Sequence, residues 1–169
     1  MHLGPAFIST GSLTKTYGLS ALRCGWILAD ADFARRVWRM ADLYGNVQPF
    51  PMDLLAVAAF DRLPALRARS RALLDANHGV FARWSAPRDD IAYTLPNWGT
   101  TVCVKPTRMA ADRLCERLRA DHDVSVVPGR FFEQPDYIRL SLCADTATLE
   151  EGLQAMNEVL GSKFQVPQL

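Results

Sequence analysis

Short apolar runs alternate with amphipathic stretches along the chain, the pattern of a mixed α/β protein. Ala6-Phe7-Ile8-Ser9-Thr10 is β-prone and ends in Gly11-Ser12, which predicts a strand entering a polar turn. Hydroxyls and glycine fill Ser12 to Ser20, and the run from Leu22 to Ala29 predicts a second strand in which Arg23 is the odd member. Asp30 or Asp32 supplies an N-cap for a helix with the apolar stripe Phe33, Val37, Met40, Ala41 and Tyr44, closed by Gly45-Asn46.

Gln48-Pro49-Phe50-Pro51 sets a rigid bend before a helix from Met52 to about Leu63. Pro64 then opens or kinks a long helix to about Trp84. Its residues Leu66, Leu73, Val80 and Trp84, flanked by Leu74 and Phe81, keep one face for a core, and Arg67, Arg69 and Arg71 form a solvated face. Beyond Pro87 the texture changes to an α+β unit. Strands are predicted at Ile91–Leu95 and Thr100–Lys105, joined by the turn Pro96-Asn97-Trp98-Gly99, and again at Val124–Val127 and Tyr137–Cys143. Ala110, Ala111, Leu114 and Leu118 mark a helix between them. A Thr148/Glu151 capping box starts a last helix carrying Leu149, Leu153, Met156 and Leu160, and Ser162 to Leu169 read as a loose tail.

Composition narrows the class. Lys and Arg total 19 against 18 Asp and Glu, a net charge of +1, so a concentrated positive surface for nucleic acid is not expected. No apolar run reaches the roughly 18 residues that cross a bilayer. Met1 to Ala6 carry neither the basic nor the apolar region of a secretory leader, which points to the cytoplasm. Cys24, Cys103, Cys115 and Cys143 are scattered without a CxxC pair and read as small apolar fillers in a reducing compartment. His2, His78 and His122 are isolated, so no metal site is expected.

The informative segment is Ser12-Leu13-Thr14-Lys15-Thr16-Tyr17-Gly18-Leu19-Ser20-Ala21-Leu22-Arg23-Cys24-Gly25-Trp26. It resembles the lysine signature of the class I/II pyridoxal-phosphate aminotransferases, the fold type I superfamily. Ser12, Thr14, Lys15, Gly18, Arg23 and Gly25 sit in register with that signature, and Cys24 departs mildly from its usual aliphatic residue. The resemblance implies that Lys15 forms a Schiff base with the aldehyde of pyridoxal 5'-phosphate. Such a lysine is held in a pocket, where burial and nearby cations favour the neutral amine. Once displaced by substrate, it would carry the proton between the substrate α-carbon and the cofactor. Ser12 and Arg23 are implied as the phosphate ligands, a hydroxyl and a guanidinium suiting an anion.

A second match lies downstream. Val126-Val127-Pro128-Gly129-Arg130-Phe131-Phe132, followed by Tyr137-Ile138-Arg139-Leu140-Ser141-Leu142, resembles the family's proline-glycine turn and small-domain strand. In the family that strand bears the arginine gripping the substrate α-carboxylate, which makes Arg139 the substrate-binding candidate; a planar fork matches a carboxylate bidentately. Arg130, beside the turn, reads as solvated. Trp98 reads equally as a residue at the substrate mouth and as an aromatic packed on the sheet.

The resemblance runs from Phe7 to about Leu160 but covers only the C-terminal part of the family's architecture, since fourteen residues precede Lys15. The implied fold is α/β: the end of a large parallel-sheet domain plus an α+β small domain. Residues 1–62 form the large-domain piece, and residues 63–169 the bridging helix and small domain. The chain is therefore expected to be a C-terminal portion that binds cofactor weakly or not at all by itself and exposes apolar surface. The implied function is transfer of an amino group between an amino acid and a 2-oxo acid, in a homodimer. A β-lyase or C–S lyase would use the same residues. A non-enzymatic aminotransferase-like effector domain of a transcription regulator is the alternative outside enzymology.

Overall fold

A computed structural model describes residues 6–45 and 49–161 of the chain. Expectations resting on Met1 to Pro5, Asn46, Gln48 and the Ser162–Leu169 tail lie outside those residues. The chain divides into two compact units, Met1–Arg71 and Ala72–Leu169. The division falls inside helix α3 (Leu63–Ser85), later than the expected 62/63 boundary. Leu63 and Leu66 pack into the apolar cluster of the first unit, so the opening turns of α3 belong there.

The first unit pairs two antiparallel strands, β1 (Ser9–Ser12) and β2 (Gly25–Leu28), with Ser12 opposite Gly25 and Gly11 opposite Trp26. Helices α1 (Ala31–Tyr44) and α2 (Phe50–Phe60) follow. The apolar residues Phe7 and Ile8 precede β1, and the second strand is shorter than the run Leu22–Ala29 suggests. Ser20–Leu22 instead form a 3-10 turn that ends on Arg23 with φ 51 and ψ 24, a left-handed backbone no strand can contain. Asp30 caps α1, its carboxylate accepting from the amides of Asp32 at 3.0 Å and Phe33 at 3.1 Å. The core of this unit is Leu13 with Ala56 and Ala59, lined by Leu19, Leu22 and Trp26 among others. Trp26 meets the Phe60 ring at 5.3 Å. The stripe of α1 departs from expectation. Phe33 and Val37 are half-buried, but Met40, Ala41 and Tyr44 are exposed, as are Trp38 and Leu43.

The second unit is an antiparallel sheet in the order β3-β4-β6-β5, formed by β3 (Ile91–Thr94), β4 (Thr101–Pro106), β5 (Val127–Pro128) and β6 (Ile138–Ser141). Period-two alternation turns Val102, Val104, Ile138 and Leu140 to one face. They share a core with Phe81 and Trp84 of α3, Leu114 and Leu118 of α4 (Ala111–His122), and Leu153 and Met156 of α5 (Thr146–Leu160). On the other face Thr94, Cys103, Arg139 and Val127 stand in register across the four strands.

Three expectations are corrected in this unit. Val124–Val126 are not strand, because pairing with β6 begins only at Val127. The last helix starts at Thr146, ahead of the Thr148/Glu151 pattern, and the Thr146 hydroxyl donates to Asn77 Oδ1 at 2.8 Å instead of capping. Asn77 itself is buried and donates to the carbonyls of Leu142 and Ala144, both at 2.8 Å, which ties the loop before α5 to α3. Cys103 and Cys143 are exposed, so the apolar-filler reading fails for them; strand parity puts Cys103 on the open face.

Arg88 and Asp90, just ahead of β3, are buried together. Two parallel bonds of 2.8 and 2.7 Å join them, and the guanidinium lies 4.4 Å from the centroid of Trp84. Arg88 also donates to Asn157 Oδ1, which accepts from Trp84 Nε1 at 2.8 Å. Removing one partner of a buried pair strands the other charge. Asp90→Ala should therefore destabilise the second unit by about 3–5 kcal/mol in urea unfolding followed by Trp fluorescence. Asp89→Ala, which breaks only the exposed pair with Arg108, should cost less than about 1 kcal/mol.

Candidate functional site

The hairpin end that carries Ser12, Lys15 and Arg23 is organised around one buried side chain. Leu13 has no solvent exposure, whereas Ser12 and Thr14 beside it are half-buried and Lys15 is exposed. The Leu13 amide donates to the carbonyl of Cys24 at 3.1 Å, extending the β1–β2 pairing by one step. The Leu13 carbonyl accepts from Leu19 N at 3.0 Å, so residues 13–19 close into a loop with Lys15 on its outer side. Inside it the Gly18 amide donates to the Lys15 carbonyl at 3.2 Å, and Gly18 holds φ +69. A side chain there would be strained, which explains a glycine three residues after the lysine.

Arg23 lies at the same hairpin end, after the 3-10 turn and just ahead of β2, next to Cys24. Its left-handed backbone costs an arginine roughly 1–2 kcal/mol. Backbone strain of this kind collects at functional positions. The guanidinium makes one long bond, Nη1 to the Ser20 carbonyl at 3.4 Å, and leaves its other donors unused among the described residues. Gly25 faces Ser12 across the pair, and a Cβ on it would stand 3.2 Å from the Gly11 carbonyl oxygen and 3.6 Å from Ser12 Cβ. The glycine thus keeps the space beside the Ser12 hydroxyl open. A hydroxyl, a guanidinium with free donors and an amine with no described partner at one hairpin end fit a phosphate monoester that also bears an aldehyde. The pocket expected around Lys15 is not formed by the described residues: Leu13, Tyr17 and Leu19 of this loop turn toward the apolar cluster, and Lys15 stays exposed.

Arg139 lies in the second unit, at the middle of β6, between Cys103 and Val127. Its neighbours Ile138 and Leu140 are buried, so parity places Arg139 on the open face, where it is half-buried. It has no acidic partner among the described residues. Its guanidinium carbon lies 4.4 Å from the centroid of Phe132. Arg130, by contrast, pairs with Asp112 and lies over Phe131, which removes it as a carboxylate anchor. Trp98 is exposed in the loop before Gly99.

The sequence signals left two contributors unnamed. Leu13 is the apolar residue inside a polar turn, and that contrast was its signal. Phe132 follows the proline-glycine turn, but only the folded loop shows that it meets Arg139. Among the described residues no cluster of three or more His, Cys, Asp or Glu side chains could hold a metal ion, and no helix is long and apolar enough to cross a membrane.

Comparison with known proteins bears on this geometry. The family profile "Aminotransferase class I and II" matches residues 2–156. A capreomycidine synthase of Streptomyces vinaceus is 34% identical over 158 residues, 92% of this chain and 40% of that protein. An arginine–pyruvate transaminase of Pseudomonas aeruginosa is 27% identical over 89% of this chain and 41% of its own length. A crystal structure of a PLP-dependent aminotransferase from Streptococcus suis superposes with a TM-score of 0.86 at 28% identity, covering 91% of this chain and 41% of that one. The chain thus spans about 40% of the length of the curated relatives it matches.

Two measurements check the local architecture. Leu13→Ala should remove about 2–5 kcal/mol from the first unit, read as lost hydrogen-exchange protection at the Leu13 and Leu19 amides. In the second unit Lys105 donates to Asp136 at 2.7 Å, and that hydrogen bond together with the charge of Asp136 raises the Lys105 pKa above its ordinary 10.5. The tie is fully present below pH 10.5 and is lost as pH climbs through the raised value. Asp136→Asn should return the Lys105 titration, followed by NMR, toward 10.5.

Proposed function

Because the chain belongs to the class I and II aminotransferases, we propose that it carries the reactive lysine and both arginine anchors of an enzyme that transfers an amino group from an amino acid to a 2-oxo acid. The family and its structural neighbours use pyridoxal phosphate, and the C-terminal part of the fold type I architecture is the part this chain matches. The observation that supports the reading is that Ser12, Lys15 and Arg23 all belong to one hairpin end, where Ser12 pairs with Gly25, Leu13 N bonds to Cys24 O, and Arg23 has a left-handed backbone.

When bound, the cofactor supplies an aldehyde that condenses with amines and a ring that accepts the electrons left by a departing α-proton. Lys15 Nζ is the amine that holds it between turnovers and, once freed, the base that takes the proton from the substrate α-carbon and returns it. Ser12 Oγ donates one hydrogen bond to the phosphate, and Arg23 adds charge-assisted donors. Arg139 offers its fork to the substrate α-carboxylate, which orients the α-carbon toward the reacting centre. Cover over Lys15 comes, in this proposal, from polypeptide equivalent to the part of the relatives that this chain does not span. A homodimer and a cytoplasmic setting belong to the same proposal.

A second reading keeps these residues and changes the outcome. The relative at 34% identity is named for making capreomycidine, not for transamination, and a β- or C–S lyase would need the same lysine and arginines. Lys15, Ser12, Arg23 and Arg139 do not separate the two, since the choice lies in how the bonds at the α-carbon are oriented. Release of ammonia and pyruvate would favour the lyase, and appearance of a new amino acid the transaminase.

The cofactor assignment has a direct check. After pyridoxal phosphate is added to the full-length protein and reduced with borohydride, peptide mass mapping should find the adduct on Lys15. Lys15→Ala should abolish it and lower turnover by at least about 100-fold, the lower end of what a general base contributes. An adduct on another lysine, or none, removes the assignment.

A further inference from the structure

We propose that Phe132 is a positioning residue for Arg139, holding the guanidinium by its flat face so that its N–H edge stays open to a carboxylate. The inference rests on the reading of Arg139 as the α-carboxylate anchor and adds the residue through which that anchor is set.

An arginine on an open sheet face has many rotamers, and ordering it costs up to about 2 kcal/mol of side-chain entropy. Proteins commonly fix such a side chain with an acidic partner, as Arg130 is fixed by Asp112 and Arg108 by Asp89 here. A carboxylate partner, however, occupies the same in-plane donors that an incoming substrate carboxylate needs. An aromatic ring does not. It attracts the cation through the quadrupole of its face and contacts the guanidinium over its plane. Arg139 has its guanidinium carbon over the Phe132 ring, 4.4 Å from the centroid, and no acidic partner among the described residues, so a ring and not a carboxylate stands against it.

Phe132 can do this because its backbone is fixed. It ends the 3-10 turn Gly129–Phe132, and Glu133 after it adopts φ 59. The Gly129 amide donates to Tyr137 O at 2.7 Å, and Gly129 O accepts from Gln134 N at 3.0 Å. Tyr137 N donates to Gln134 O at 3.0 Å, closing the loop on itself. A Cβ on Gly129 would lie 2.1 Å from Gln134 O and 2.4 Å from Tyr137 O, so only glycine admits this closure. Lys105 latches the far side of the loop through Asp136. The phenylalanine is therefore carried to Arg139 by a rigid turn while remaining nearly half exposed, at 47% of its surface.

The test uses the full chain, labelled with 15N, and acetate as a carboxylate probe. The Arg139 Nε–Hε signal should lie upfield in the native chain and lose that ring-current shift in Phe132→Leu. The acetate Kd, read in every variant from the backbone amide shifts of Cys103 and Val127, which flank residue 139 on the neighbouring strands, should rise about fivefold in Phe132→Leu and stay within twofold in Phe132→Tyr, which restores a ring. Phe132→Met is a second ringless variant, judged the same way should the leucine variant fail to fold. Equal Kd values in native and ringless chains, with Arg139→Gln abolishing binding, overturn the role of Phe132 and leave the anchor standing. Acetate binding that survives Arg139→Gln, or no saturable binding by the native chain, overturns the anchor and this inference with it.

Discussion

Burial of Leu13 is the constraint on which the candidate site depends. Serine, threonine, lysine and glycine have no reason of their own to hold a loop in one shape, since each is as well solvated in many conformations. One leucine in their midst changes that. Its side chain is anchored against Ala56 and Ala59 of α2, and its amide and carbonyl are both committed, to Cys24 and to Leu19. With those three attachments made, Ser12 and Lys15 sit on either side of a fixed point and Arg23 arrives one residue from its partner. The loop's chemistry is polar and its placement is hydrophobic.

A different device holds the second anchor. Arg139 gains its position from strand parity: Ile138 and Leu140 must point into the core, so the residue between them must point out. That argument fixes the face and leaves the side chain free. The turn after Pro128 then supplies what parity cannot, a ring against the guanidinium. Backbone register and a rigid loop thus divide the work, and neither would suffice alone.

Much of this was legible in the residues and some was not, for identifiable reasons. The lysine signature could be read because its spacing encodes a hairpin: six residue types at fixed offsets are the sequence image of Ser12 opposite Gly25. The core of the second unit could be read from Leu149, Leu153 and Met156 and from the alternation in β4 and β6. Arg23 was misassigned to a strand because a left-handed residue leaves no trace in hydrophobic pattern, and the Leu22–Ala29 run looks continuous through it. Cysteine's usual burial predicts filler at Cys103, but strand parity puts that residue on the open face. The apolar stripe of α1 states which residues avoid water, but not what covers them, and here Met40 and Tyr44 remain exposed.

That exposure and the openness of Lys15 have a common physical reading. Lys15 is exposed on a loop around which the described residues build no pocket. On α1 and α2 the large apolar side chains of Trp38, Leu43, Phe50 and Val57 are exposed, surface of the kind that proteins tend to cover. The chain spans about 40% of the length of its relatives, and under the proposed function polypeptide equivalent to the remainder would supply both the walls and the cover. What the first unit contributes by itself is therefore geometry: the amine, hydroxyl and guanidinium are placed at one hairpin end before anything closes over them. Preorganised donors lower the cost of holding an anion because they need not be gathered when it binds.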